Sequence, residues 1–275
     1  MSTPGQESGN RNYNPNAGRR VAPNTGLVYA NGEVLIDAYV LINLPADEFV
    51  AVFGVSQEAP TAVESNQKVN NLIDQFLTAA DKLGVPRSNT FVDFITQNRV
   101  YNFVQAGDNT IREQLQGFET KKNVAVRYKD RGVLEKLVTA ASQASIFDLI
   151  KVDYVINDLS KIRNRLFDEA ARIVKQKEET YTRALGLAIK RGALLQETYD
   201  THYPGELYQT YTAFESGAVD SNYTTNTRVI RERKSRTSYL EPLDRSAFDA
   251  VIGAAGIEPM VQCTLYMKVS YSIAR

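Results

Sequence analysis

From Val261 to Ile273 apolar and polar side chains alternate. Val261, Cys263, Leu265, Met267, Val269, Tyr271 and Ile273 share one parity, and Gln262, Thr264, Tyr266, Lys268, Ser270 and Ser272 the other. A period of two belongs to a strand, whose successive side chains point to opposite faces. The pattern predicts one core face and one polar face. An aspartate at Leu265 should then break the fold, and one at Thr264 should be far milder.

Elsewhere the period is three to four. Across Thr61 to Leu83 the apolar positions are Val69, Leu72, Ile73, Phe76, Ala80 and Leu83, and Gly84 and Pro86 follow as stop signals. Asp158 is placed to cap a long helix striped by Leu159, Ile162, Leu166, Ala170 and Ile173, with a charged face that includes Lys175, Lys177, Glu178 and Glu179. A shorter helix is expected from an N-cap at Asp130 through Ala144, with Leu134, Leu137, Val138 and Ala141 inward.

Between the helices lie β-rich runs. Val34 to Leu44 and Phe49 to Ser56 flank the turn Pro45-Ala46-Asp47-Glu48 and read as a strand pair. Thr90 to Val104 and Phe118 to Tyr128, with a polar loop around Gln105 to Asn109, read as a second hairpin; Ile146 to Ile156 and the run after Gly186 to about Thr198 are also extended. Residues 1–26, rich in Gly, Asn, Pro and Ser, read as a flexible tail, and 199–239 as a long loop or irregular insertion. The expectation is an α+β domain over 27–275, with a largely antiparallel sheet and about three helices packed on one face.

Composition removes several function classes. Lys+Arg and Asp+Glu number 32 each, so no net field draws the chain to nucleic acid or an anionic membrane. One cysteine, Cys263, and one histidine, His202, exclude an intrachain disulfide and a Cys/His zinc site. No uncharged stretch approaches the roughly 20 residues of a membrane span. Phosphate-binding and dinucleotide glycine motifs and the Gly-x-Ser-x-Gly elbow are absent, so no cofactor, metal or catalytic group is expected.

A set of ordered motifs carries a resemblance. Asn31-Gly32-Glu33 leads into the first long strand, followed by Pro45-Ala46-Asp47 and by Phe53-Gly54-Val55-Ser56-Gln57-Glu58. The next helix bears Asn66 and closes in Leu83-Gly84-Val85-Pro86; Gly117-Phe118, Ala184-Leu185-Gly186 and Glu258-Pro259 follow at later boundaries. In these features, over roughly residues 27–275, the chain resembles the SIMPL-domain family, which includes bacterial periplasmic and outer-membrane-associated immunogenic proteins. The resemblance implies a non-enzymatic structural or interaction protein of the periplasm or cell envelope, self-assembled into a homo-oligomer, with other envelope components as further partners and no nucleic acid. The N terminus reads either as a mature form whose signal peptide has been removed or as a native cytoplasmic start at Met1.

The candidate surfaces lie in 199–239. Tyr199, Tyr203, Tyr208, Tyr211 and Tyr223 supply rigid area with a hydroxyl at its tip, suited to an assembly or glycan-binding interface or to a loop folded back on its own domain. Arg228, Arg231, Arg233, Lys234 and Arg236 form a cationic run that reads as a solvated loop or an inter-subunit contact. His202 reads as a structural or solvent-facing loop residue, and Cys263, on the apolar parity, as core. The competing reading is a monomeric binding module for a small ligand or envelope polymer, with 199–239 as a lid.

Overall fold

Residues 27–30, 33–108, 110–186, 188–211, 237–254 and 258–273 are described by a computed structural model. The elements run β1 (Leu27–Ala30), β2 (Glu33–Leu44), β3 (Glu48–Ala59), α1 (Ala62–Lys82), β4 (Thr90–Gly107), β5 (Thr110–Tyr128), α2 (Val133–Gln143) and β6 (Asp148–Val155). They continue with α3 (Leu159–Leu185), β7 (Ile189–His202), α4 (Pro204–Leu207), β8 (Tyr208–Tyr211), β9 (Thr237–Leu240), β10 (Ala250–Ile252) and β11 (Val261–Ile273). The class is α+β with mostly antiparallel pairing. The flexible-tail reading of 1–26 falls outside the described residues.

Helix ends follow local chemistry. The Thr61 side chain accepts from the Glu64 amide, and α1 closes where the Val85 amide reaches back to the Ala80 carbonyl. Asp158 caps α3 by accepting from the Lys161 amide at 2.9 Å, and Gly186 ends it with φ +67°, a left-handed conformation that glycine adopts without a Cβ clash. Asp130 is not the cap of α2. It accepts from the Gly132 amide at 2.9 Å, Gly132 takes the cap position, and the helix starts at Val133.

Two main sheets form, and they divide the helices. One has the order β1-β2-β11-β7 with β10 added parallel to β2; the other has the order β4-β5-β3-β6. A short β8-β9 ribbon stands apart from both. The expected hairpin between β2 and β3 does not form, because each strand belongs to a different sheet and has its edges taken by other strands. A turn signal such as Pro45–Glu48 is local, whereas partner choice is decided by the packing of whole apolar faces. β2 matches β11 in antiparallel register from Glu33 opposite Ser272 to Leu44 opposite Val261.

Each sheet has its own core. Phe53, Val55, Val124 and Val126 meet Ile73, Phe76 and Ala80 of α1 and Leu137 of α2, with the Phe53 and Phe76 rings edge-on at 4.9 Å. On the other sheet Ile36, Val40, Leu265 and Met267 meet Leu166, Ala170, Ile173 and Val174 of α3. Tyr154 packs against both clusters and joins them. Burial of this kind contributes about 25 cal/mol per Å² of apolar surface.

The polar face of β11 departs from expectation. Gln262, Thr264, Tyr266 and Ser270 are all buried, Thr264 to 1% exposure. The segment after β9 lies over this face: the Phe248 ring lies tilted against Tyr39 with centroids 4.4 Å apart, Tyr39 meets Tyr266 at 6.0 Å, and the Leu243 amide donates to Gln262 Oε1 at 2.8 Å. Polarity marked the face correctly, but these groups face hydrogen-bonding protein rather than water.

Candidate functional site

The β4–β5 hairpin outgrows its sheet. β3 pairs with β5 only from Phe49 opposite Tyr128 to Ala59 opposite Phe118, whereas β4 and β5 stay paired from Thr90 opposite Val126 to Gly107 opposite Thr110. The polar loop expected over 105–109 is therefore narrower, and Val100 to Gly117 forms a two-stranded arm that β3 does not support. Cross-strand register places Tyr101 opposite Leu115, Phe103 opposite Glu113 and Gln105 opposite Ile111, so these side chains share one face. That face is open and mostly apolar, with Gln105 and Glu113 as its polar members: Phe103 is 66% and Ile111 70% exposed, with Tyr101 and Leu115 about half exposed. The alternation of Tyr101 with Phe103 is present in the sequence, but the polar residues at the tip conceal how far the strands continue.

The tyrosines of 199–211 separate into two groups. Tyr199 lies on β7, which runs on through His202, so the irregular segment begins later than expected. Tyr199 and Tyr203 pack against the α3-side core. Burial, then the Cys263 thiol, pushes the Tyr199 hydroxyl up to about 12, and the Arg163 guanidinium sits 5.7 Å from its ring centre while pairing with Glu197 at 3.1 Å. Tyr208 and Tyr211 are exposed on β8, opposite Leu240 and Thr237 of β9. Tyr223, Arg228, Arg231, Arg233, Lys234 and Arg236 lie outside the described residues.

His202 and Cys263 are both buried. His202 ends β7 opposite Gln262, so it is a strand residue and not a loop one. Cys263 makes a weak contact from its thiol to Thr201 Oγ1 at 3.8 Å, inside the core. The charged face of α3 is also partly engaged: Lys177 pairs with Asp249 and donates to the Asp37 carbonyl, and Glu178 accepts from the Tyr271 hydroxyl at 3.0 Å. Burial, then Glu178, pushes that hydroxyl up to about 12. These charges pin the helix to its sheet.

Among the described residues no three His, Cys, Asp or Glu side chains gather as a metal site, and no helix is long and apolar enough to cross a membrane. The geometry defines an α+β protein of two helix-covered sheets with a projecting, apolar-faced arm. A protein-family model described as SIMPL, protein of unknown function, matches residues 37–233. The chain belongs to the SIMPL family. The structural unit runs further than the match, since β11 is hydrogen-bonded between β2 and β7. No curated protein matches the chain.

Proposed function

We propose that this SIMPL protein is a non-catalytic structural protein that self-associates, and that a second copy covers the apolar face of the β4–β5 arm. The observation that carries the reading is the arm itself. An isolated two-stranded ribbon is marginal in water, and one that also exposes Tyr101, Phe103, Ile111 and Leu115 on one face gains by burying them. Unpaired strand edges among the described residues support it further: β4 and β6 at the two ends of one sheet, and β7 at an end of the other, each pair on one side only. The exposed Tyr208 and Tyr211 add a second contact surface. Neutral overall charge leaves no general repulsion between copies. The family resemblance carries the remainder of the proposal, a place in the bacterial periplasm or cell envelope, which fractionation of expressing cells tests.

The test of self-association is the absolute mass of the full chain in solution, by light scattering at roughly tens of micromolar. The wild type should be a discrete oligomer, and the double variant Phe103→Lys, Leu115→Lys should be smaller with an unchanged circular dichroism spectrum. A wild-type monomer at that concentration refutes self-association; an oligomer of equal mass in the double variant refutes the arm as its interface.

A further inference from the structure

A cavity of about 270 Å³ is lined by residues of β2, α4, β9 and the start of β11, together with the segment that follows β9. Its walls are apolar, from Leu207, Leu240, Leu243 and Met260. Its polar lining is a cross-strand pair, Asn43 opposite Gln262. The exposed side chains of Arg245 and Glu258 complete the lining where it meets solvent.

The amide orientations follow from one backbone group. The Leu243 N–H can only donate, so the Gln262 atom 2.8 Å away is its oxygen, Oε1. Gln262 Nε2 then faces Asn43 and donates to Asn43 Oδ1, also at 2.8 Å. Asn43 is left with its Nδ2 protons, which meet no acceptor among the described residues. Of the two charges, Glu258 is held by Arg131 at 2.8 Å, whereas Arg245 has no ion pair among the described residues. The cavity therefore combines an apolar wall with two unspent donors, one of them cationic, and its single carboxylate is already neutralised by Arg131.

We propose that this cavity binds a small monocarboxylate with an apolar body, the body against Leu207, Leu240 and Met260 and the carboxylate toward the Arg245 guanidinium. The volume holds roughly nine groups of water size at about 30 Å³ each, which suits a short aliphatic or aromatic acid. Guanidinium and carboxylate make charge-assisted, paired hydrogen bonds, so the charge sets the choice of ligand while the walls set its size. The inference does not depend on self-association.

The experiment uses the full chain with hexanoate and, as the uncharged control of similar length, hexanol. Binding is read by thermal shift and by calorimetry, since a ligand of the folded state raises the unfolding midpoint. Hexanoate should raise the midpoint with saturation and hexanol should bind more weakly. Arg245→Gln should weaken hexanoate about tenfold and leave hexanol unchanged. A second variant, Leu240→Trp, should fill the half-buried wall and abolish both responses. Particle mass is measured on the same samples, so a change of assembly is distinguished from binding. No response to either compound, equal response to both, or an undiminished hexanoate response in Arg245→Gln overturns the proposal.

Discussion

The Tyr266 hydroxyl donates to the Asp37 carboxylate at 2.9 Å, tying β11 to β2 on the face turned away from α3. Around this bond Lys177 of α3 donates to the Asp37 carbonyl at 2.9 Å and pairs with Asp249, whose carboxylate accepts the Tyr39 amide at 2.9 Å. The result is a set of charge-assisted bonds that lets a carboxylate lie buried between two strands. Burial, then Asp37, pushes the Tyr266 hydroxyl well above the usual tyrosine range.

Removing that donor takes one hydrogen bond from a buried carboxylate. Tyr266→Phe should destabilise the protein by about 1–3 kcal/mol, measured as a lower urea midpoint with an unchanged slope. Tyr208→Phe, at an exposed phenol, should change the midpoint little. Equal losses in the two variants would remove the Asp37 bond as the cause.

Alkali should unfold this protein through its tyrosines. Tyr128, Tyr199 and Tyr271 are each pushed up from 10.0 to about 12, in every case chiefly by burial. A group whose folded value is raised binds its proton more tightly in the native state, so its contribution is complete below the unfolded value near 10 and is lost as pH rises toward about 12. Denaturant midpoints should hold steady below pH ~10 and fall through that window, together with the appearance of tyrosinate absorbance. A midpoint that stays level to pH ~12 would contradict the native burial of these phenols.

Thr264→Asp should damage the fold as severely as Leu265→Asp, because both side chains are enclosed, Leu265 under α3 and Thr264 at 1% exposure on the opposite face of the sheet. Both variants should appear in the insoluble fraction, with Thr264→Val folded normally. Soluble, cooperatively unfolding Thr264→Asp protein would mean that the outer face of β11 is open to water.

Gly117 sits where β5 leaves β3 and the arm begins. A Cβ there would stand 2.5 Å from the Ala59 carbonyl oxygen, a backbone atom that cannot swing aside. Gly117→Ala should cost about 1–3 kcal/mol, seen as a lowered thermal midpoint. Gly132→Ala meets only the Asp130 side chain at 3.4 Å and should be mild by comparison. Matching midpoints for the two would argue that the strands part more widely at Gly117.

Much of this molecule is written in short-range pattern. The three- and four-residue spacing of α1 and α3, the caps at Thr61 and Asp158, the stop at Gly186 and the alternation of β11 all follow from side-chain periodicity and the needs of unpaired helix-end groups, which act within a few residues. Pairing is different, because ladder bonds join backbone groups that are alike in every residue. Only the packing of whole faces selected β11 rather than β3 as the partner of β2, buried Thr264, and made His202 a strand residue. The arm and the cavity lie at the same level. Tyr101, Phe103, Ile111 and Leu115 become one apolar face only once register is set, and Asn43, Leu207, Leu240 and Gln262 enclose a space only when four distant segments meet, since burial rewards proximity in space whatever the separation along the chain.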